Sequence, residues 1–228
     1  MSILKYTNNE ILEYSKKTLD YVPPIVVYDY DGNYYEEVKV GNQVWLDRNL
    51  RTIHLSDGTP INNITNNDDW YFRGEDLDYA WPNNSILNAY PYGAIYKHEC
   101  ISSGLFVPGY HVPTPAEITA LKNELGVIYG GGKLKETGTD HWRTYGEVYN
   151  PPVPAGVNVG ATNSTGLSYV GTNFREYNGT FFPLGQFGYY WTSVAYIYYR
   201  QNAGNAVFVG PANWGNGGVG MAIRLIKD

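Results

Sequence analysis

The chain has 228 residues and a formal net charge of −6, with 16 Lys and Arg against 22 Asp and Glu. Because Lys and Arg do not cluster anywhere in it, we expect neither a nucleic-acid partner nor an anionic membrane surface. The one cysteine, Cys100, excludes an intrachain disulfide and a multi-cysteine metal site. No apolar stretch reaches membrane-spanning length, so membrane insertion is not expected either.

The first 24 residues are predicted to form a helical appendage. A capping box at Thr7–Glu10 begins the helix, and the pair Pro23-Pro24 ends it. A helix this short is marginal alone, so we expect residues 1–22 to pack on the domain or on another copy of the chain, with a homotrimer as the hypothesis. The segment lacks the apolar core of a signal peptide, and residues 25–228 are predicted to form one domain.

Residues 25–46 have the pattern of short antiparallel strands. Ile25–Tyr30, Tyr34–Val40 and Gln43–Leu46 are strand-like. The turn signals Asp31-Gly32-Asn33 and Gly41-Asn42 separate them. Together they predict a three-stranded meander.

Residues 62–91 show no clear periodicity and are predicted to form a long loop packed by Trp70, Trp81 and Tyr90. Four aspartates of this segment lack the spacing of a calcium loop and are predicted to be solvated. They are Asp68, Asp69, Asp76 and Asp78. Farther along, His98 and Cys100 lie close in sequence but lack an orienting third group, so a catalytic pair is disfavoured and a buried, unreactive thiol is expected.

The clearest local signal runs from Thr114 to Gly126. Thr114 is the predicted N-cap, Pro115 the first helical residue, Glu117 the partner in a capping box and Gly126 the stop. The apolar positions that share one face are Ile118, Leu121 and Leu125. These features predict a helix over about residues 114–125.

Between this helix and the C-terminal stretch, three segments are predicted to be structural. Gly130-Gly131-Gly132-Lys133 lacks the spacing and the Ser/Thr of a phosphate loop, so a flexible turn is expected. His141-Trp142 is expected to pack at the edge of the core, and Pro151–Pro154 to form an extended connector. With few helices and many short strands, the fold class is predicted to be α+β.

The stretch from Tyr189 to Arg224 has the most unusual composition. Between Tyr177 and Ile226 the only charged residues are Arg200 and Arg224, and Tyr, Trp, Asn and Gly predominate. Aromatic rings with adaptable Asn and Gly are typical of antibody binding surfaces. Because Asn and Gly are depleted in strands, we expect a loop-rich recognition surface. An aromatic β core with Gly/Asn turns is the alternative interpretation.

The order of the motifs resembles the Fibrobacter succinogenes major paralogous domain, common in Bacteroidetes-type proteins. The resemblance covers about residues 29–228. The motifs that carry it are Asp31-Gly32-Asn33, the segments 38–45 and 49–52, Asp57-Gly58-Thr59, the segments 92–96 and 109–114, Gly132–Lys135 with Gly138 and Trp142, and the segments 161–167, 188–193 and 222–224.

This resemblance implies a C-type-lectin-like fold of the formylglycine-generating-enzyme branch, with ligand-binding loops in the C-terminal half. The same branch includes the variable proteins of diversity-generating retroelements, whose codons are rewritten near the C-terminus. The Tyr, Asn and Gly residues from Tyr196 to Asn216 resemble such a region. A chain of this kind without a leader resembles a bacteriophage tail-fibre tip, which implies a location on the virion or on an extracellular surface.

The first functional hypothesis is therefore a non-enzymatic binding module that recognises a bacterial cell-surface protein or glycan, as a homo-oligomer, without cofactor or metal. The expected ligand-binding residues are Tyr196, Tyr198, Tyr199, Arg200, Asn202, Asn205, Phe208, Asn213, Trp214 and Asn216. A second hypothesis is a formylglycine-generating-enzyme-like oxidase, although that branch uses two cysteines and only Cys100 is present. A third is a structural surface or virion-decoration protein.

Overall fold

The computed structural model describes residues 23–73, 76–104, 107–126, 130–142, 156–194, 197–202, 208–213 and 218–228. The helix predicted within residues 1–22 and the connector predicted at Pro151–Pro154 lie outside this part of the chain. The described residues form twelve short strands and few helices, so the predicted α+β class is confirmed.

The strands are β1 Val26–Tyr28, β2 Tyr34–Val40, β3 Gln43–Leu46, β4 Asn62–Asn63, β5 Asp78–Ala80, β6 Ile95–Lys97, β7 Tyr110–His111, β8 Phe187–Trp191, β9 Ile197–Asn202, β10 Phe208–Asn213, β11 Gly220–Met221 and β12 Ile226–Lys227. The helices are α1 Asn67–Phe72, α2 Ala89–Tyr92, α3 Glu99–Ser102, α4 Pro115–Leu125 and α5 Gly130–Leu134, and two 3₁₀ turns cover Pro82–Asn84 and Ile86–Asn88. Among the described residues, no helix combines the length and the apolar character needed to cross a membrane.

The predicted meander is confirmed as part of a five-stranded sheet in the order β1-β2-β3-β12-β7. The first turn is organised by the carboxylate of Asp29, which accepts hydrogen bonds from the backbone N–H groups of Asp31 and Asn33 at 3.0 and 2.9 Å and from the hydroxyl of Tyr35 at 2.7 Å. The C-terminal strand β12 lies between β3 and β7, with Ile226 in register with both Trp45 and His111. The end of the chain thus closes the sheet that the meander begins.

The prediction of a long loop over residues 62–91 is wrong for much of this segment. It contains α1, β4, β5 and both 3₁₀ turns, and β4 and β5 belong to a second sheet in the order β11-β6-β5-β4. Asn66 caps α1 by accepting from the N–H groups of Asp68 and Asp69. The burial of Trp70 and Trp81 is confirmed, but Tyr90 is 61% exposed and does not pack the segment.

One of the four aspartates predicted to be solvated is fully buried. Asp78 bonds to the ammonium of Lys97 at 3.2 Å and to the guanidinium of Arg73 at 3.1 Å. A buried carboxylate needs such partners because its loss of hydration is otherwise uncompensated. Asp68 and Asp69 are exposed, as predicted.

Helix α4 is confirmed with its predicted cap. The hydroxyl of Thr114 accepts from the N–H of Glu117 at 3.2 Å, and the carboxylate of Glu117 accepts from the N–H of Thr114 at 2.7 Å. Gly126 follows with φ of 89°. The predicted apolar face, which is Ile118, Leu121 and Leu125, is buried.

The turn predicted at Gly130–Lys133 is instead the start of the buried helix α5. A β-carbon added to Gly130 would lie 2.8 Å from the β-carbon of Leu125. Glycine therefore serves close packing of α5 against α4 here, which the sequence pattern did not indicate. The burial of Trp142 was predicted correctly.

Candidate ligand-binding surface

The C-terminal stretch is built on β8, the first strand of an antiparallel sheet in the order β10-β9-β8. Tyr189, Tyr190 and Trp191 are all buried, the first and last in one core cluster and Tyr190 in another. The alternation of side chains along a strand explains this division between two sides. Both faces of β8 are therefore fixed in the core.

Hydrogen bonds fix β8 further. The indole N–H of Trp191 donates to the carbonyl of Tyr96 at 2.9 Å, and its backbone N–H donates to Ala222 at 3.0 Å. The hydroxyl of Tyr190 donates to the carbonyl of Val170 at 2.8 Å. Immediately after β8, the N–H of Ser193 donates to the carbonyl of Pro113 at 2.9 Å, next to the start of α4. The aromatic β core considered as the alternative is thus correct for residues 189–191.

For the part of residues 189–224 that the structure describes, the prediction of a largely loop conformation is wrong. In addition to β8, strands β9 and β10 pair with each other and place much of the stretch in a sheet. Pairing with a strand that is already fixed in the core outweighs the low strand propensity of Asn and Gly.

Six of the ten predicted ligand-binding residues lie on these two strands. Tyr198, Tyr199, Arg200 and Asn202 lie on β9, and Phe208 and Asn213 lie on β10. The remaining four, Tyr196, Asn205, Trp214 and Asn216, lie outside the described residues. The register aligns Tyr198 with Trp191, Tyr199 with Tyr190 and Arg200 with Tyr189.

Strand β10 forms an edge of this sheet and contains a bulge. Val209 is in register with Arg200, and Ala212 with Tyr198, so β10 has one residue more than β9 between the two pairs. Gly210 and Pro211 occupy the bulge, where a proline, which has no N–H to donate, is tolerated. β10 also lies beside α4. Both features protect the edge from unwanted strand pairing.

The other charged residue of the stretch, Arg224, belongs to the scaffold. Its guanidinium is fully buried, donates to Asn49 Oδ1 at 3.0 Å and to the carbonyls of Leu46 and Leu167 at 3.2 and 2.8 Å, and lies 4.3 Å from the ring centre of Tyr169. Arg224 therefore joins the C-terminal segment to β3 and to the segment before β8.

The sequence reasoning missed a cluster of exposed aromatic side chains, which lies next to Gly218 of the C-terminal stretch. The rings of Tyr71 and Phe72 are 4.9 Å apart, and those of Tyr71 and Tyr177 are 6.1 Å apart. All three side chains are exposed. A β-carbon on Gly218 would lie 3.5 Å from Tyr177, so the cluster adjoins the chain just before β11. Only the proximity of α1 to the segment around Arg175, a tertiary contact, brings these rings together.

The geometry around Cys100 is that of a structural thiol. Cys100 is fully buried, its Sγ donates to the carbonyl of Asp78 at 3.4 Å, and burial raises its pKa to about 12. The ring of His98 packs edge-on against Trp191 at 5.3 Å, and burial lowers its pKa. The buried thiol was predicted correctly. Among the described residues, no group of three or more His, Cys, Asp or Glu side chains is placed to hold a metal ion.

The described residues form a mixed α+β domain with three small sheets, and the C-terminal sheet is anchored in the core through β8. The Fibrobacter succinogenes major domain family matches residues 38–227, and the chain belongs to this family. No curated protein and no solved structure matches the chain.

Proposed function

We propose that this chain is a non-enzymatic receptor-recognition protein with a C-type-lectin-like fold. Its recognition surface comprises β9, β10 and the segments that flank them, and its partner is a protein or glycan on a bacterial cell surface. The proposed setting is a bacteriophage tail fibre or another extracellular surface. Assembly into a homo-oligomer, with a trimer as the working hypothesis, would raise a weak affinity per site through avidity.

The observation that carries the proposal is the contrast between β8 and its neighbours. Strand β8 is fixed by core packing on both faces, whereas β9 and β10 contain six of the ten residues that the sequence favours for binding. Tyr and Arg supply large contact areas and are enriched among residues that dominate binding energies. Asn supplies adaptable hydrogen bonds.

A second line of support concerns the proposal that the surface is diversified by a retroelement. Residues 196–216 lie between two scaffold anchors, Trp191 and Arg224, both fully buried and hydrogen-bonded. The anchors use side chains, whereas the pairing of β9 with β8 and β10 uses the backbone, which every residue except proline provides. Substitution between the anchors is therefore compatible with the fold.

The first test is to sequence this locus in many closely related isolates. We expect substitutions to concentrate between Tyr196 and Asn216, at codons whose counterparts in a nearby template repeat contain adenine. An even spread of substitutions, or a stretch more constant than the scaffold, would contradict diversification.

The second test is binding of the labelled full chain to a panel of intact bacterial cells. We expect Tyr198→Ala and Trp214→Ala each to weaken binding about 30-fold, which corresponds to about 2 kcal/mol for a central aromatic contact. Tyr28→Ala, at a tyrosine that is 60% exposed on β1, is the matched control and should leave binding unchanged. If the two variants instead dissociate a homo-oligomer, the structural-decoration alternative is favoured.

A further inference from the structure

The surface of the domain contains a pocket of about 150 Å³. It is lined by Asp47, Arg48, Tyr90, Pro91, Glu136, Ser168 and Val170. The carbonyl of Val170 accepts the hydrogen bond from Tyr190, so one of the lining residues is attached to the fixed strand β8. None of the predicted ligand-binding residues lines this pocket.

The charged groups of the pocket are held in place by neighbours. Nε and Nη2 of Arg48 donate to Asp47 Oδ2 at 2.8 and 2.5 Å, and the guanidinium lies 4.5 Å from the ring centre of Tyr34. Glu136 Oε2 lies 2.6 Å from Nδ1 of His141. Each carboxylate thus has a basic partner and retains lone pairs that can accept further hydrogen bonds.

Two other features shape the walls. Ser168 has a φ of 48°, in the left-handed region that residues other than glycine rarely adopt. Asn163 holds it there, since its side chain accepts from the N–H of Ser168 and donates to the hydroxyl, both at 2.9 Å. On the other side stands the 61% exposed side chain of Tyr90. Arg48 and Arg51 lie 6.0 and 5.7 Å from its ring centre.

We propose that this pocket binds one residue of an uncharged saccharide. The pocket offers donors from Arg48 and acceptors from Asp47 and Glu136, which together match the paired donor and acceptor character of sugar hydroxyls. The hydroxyl of Ser168 donates to the carbonyl of Gly166 at 3.4 Å and accepts from Asn163, so it offers the ligand one further acceptor position. The accessible ring of Tyr90 has a negative face that attracts the weakly positive C–H groups of a pyranose ring.

Size and charge argue against other small ligands. Pockets for drug-sized molecules occupy about 300–1,000 Å³, so this one suits a single ring. Asp47 is paired with Arg48, and Glu136 with His141, so neither a cationic nor an anionic ligand would find an unpaired opposite charge in the pocket, and burial of an unpaired charge is costly. The inference concerns a second site, which is independent of the receptor surface proposed on β9 and β10.

The test uses the full chain, labelled with ¹⁵N, and a panel of methyl glycosides of neutral hexoses, 6-deoxyhexoses and N-acetylhexosamines. We expect at least one glycoside to shift backbone amide signals with a dissociation constant of roughly millimolar order, as for one small ligand in a shallow site. The shifts should centre on residues around Arg48, Tyr90 and Ser168.

Three variants define the site. Tyr90→Ala and Glu136→Gln should each weaken glycoside binding at least about tenfold. Tyr71→Ala, at another exposed tyrosine in a short helix, should leave it unchanged. A thermal unfolding scan of each variant confirms that its fold is retained.

Several outcomes would overturn the inference. These are binding of no glycoside in the panel, equal affinity in wild type and Tyr90→Ala, or shifts produced only by a charged probe such as arginine amide or methyl glucuronide. Tyr198→Ala separates the two proposals, because it should reduce binding to cells and leave glycoside binding at the pocket intact.

Discussion

Replacement of Arg224 by alanine tests whether this charge at the end of the C-terminal stretch belongs to the scaffold. The guanidinium makes three hydrogen bonds, to Asn49 and to the carbonyls of Leu46 and Leu167, and is fully buried. Among the described residues, no carboxylate bonds to it. Its energetic effect therefore comes from hydrogen bonds and from packing on Tyr169.

The magnitude follows from what Arg224→Ala leaves behind. Each buried acceptor that loses its partner costs about 1–3 kcal/mol, and loss of the contact with Tyr169 costs a further ~0.5–2 kcal/mol. Removal of a buried positive charge recovers part of this, because its dehydration no longer opposes folding. We expect a net loss of about 3–5 kcal/mol in the free energy of unfolding.

The assay is urea unfolding, monitored by tryptophan fluorescence. The slope of the free energy of unfolding against urea concentration should be the same in every variant, which checks that unfolding remains two-state. Lys227→Ala is the matched control, because Lys227 is close in sequence, half-exposed and paired with Glu37. An ion pair of such an exposed lysine contributes little, so about 1 kcal/mol or less should be lost. Arg224→Lys should fall between wild type and Arg224→Ala.

A double-mutant cycle with Asn49→Ala isolates one bond of this network. Coupling of about 1 kcal/mol or more between the two positions is expected for residues in direct contact. A loss below about 1 kcal/mol in Arg224→Ala, or additivity of the two substitutions, would refute the scaffold role assigned to Arg224.

Three further predictions concern other parts of the fold. Thr114→Ala should lower the free energy of unfolding by about 1 kcal/mol, because α4 loses its capping box; Thr119→Ala, at an exposed position of the same helix, is the control for urea unfolding, and equal losses would contradict the cap. Cys100 should react with a thiol reagent only as fast as the protein opens, since burial raises its pKa to about 12; labelling at the rate of a free peptide thiol would contradict this. The pKa of Asp31 is lowered in the folded state: burial opposes the shift, and hydrogen bonds from Thr52, Ile53 and His54 outweigh it. The ionised Asp31 should thus contribute to stability above the unfolded pKa of about 4, and this contribution should be lost as the pH falls through the lower pKa of the folded state. Thermal unfolding measured between pH 7 and pH 2 should show this loss. Asp31→Asn should lose less stability on acidification than wild type.

The elements predicted correctly are those whose signals are local. Helix α4 follows from a capping box, a proline at the first position and a stop at Gly126, all within thirteen positions of the sequence. The meander β1–β3 follows from alternating strands and two turn signals. In both cases backbone hydrogen bonds join neighbours in sequence, so a local pattern determines the structure.

The elements predicted wrongly depend on distant partners. Asp78 is buried because Lys97, on the adjacent strand, neutralises it, and position 130 is a glycine within a packed helix because Leu125 leaves no room for a side chain. The strands in the C-terminal stretch form because β8 is already fixed by contacts with residues such as Tyr96 and Val170. None of these partners can be read from the segment itself.

Composition located the candidate surface only in part, because it does not separate the residues of the surface from scaffold residues of the same types. Tyr, Trp and Arg occur in both the scaffold and the candidate surface: Tyr190, Trp191 and Arg224 are core residues, whereas Tyr198 and Arg200 lie on β9, the middle strand of the C-terminal sheet. Composition gives these residues equal weight, because an aromatic ring that anchors a core and one that anchors a ligand have the same chemistry. Hydrogen bonds to backbone carbonyls identify Tyr190, Trp191 and Arg224 as scaffold, so substitutions at these three positions should change folding.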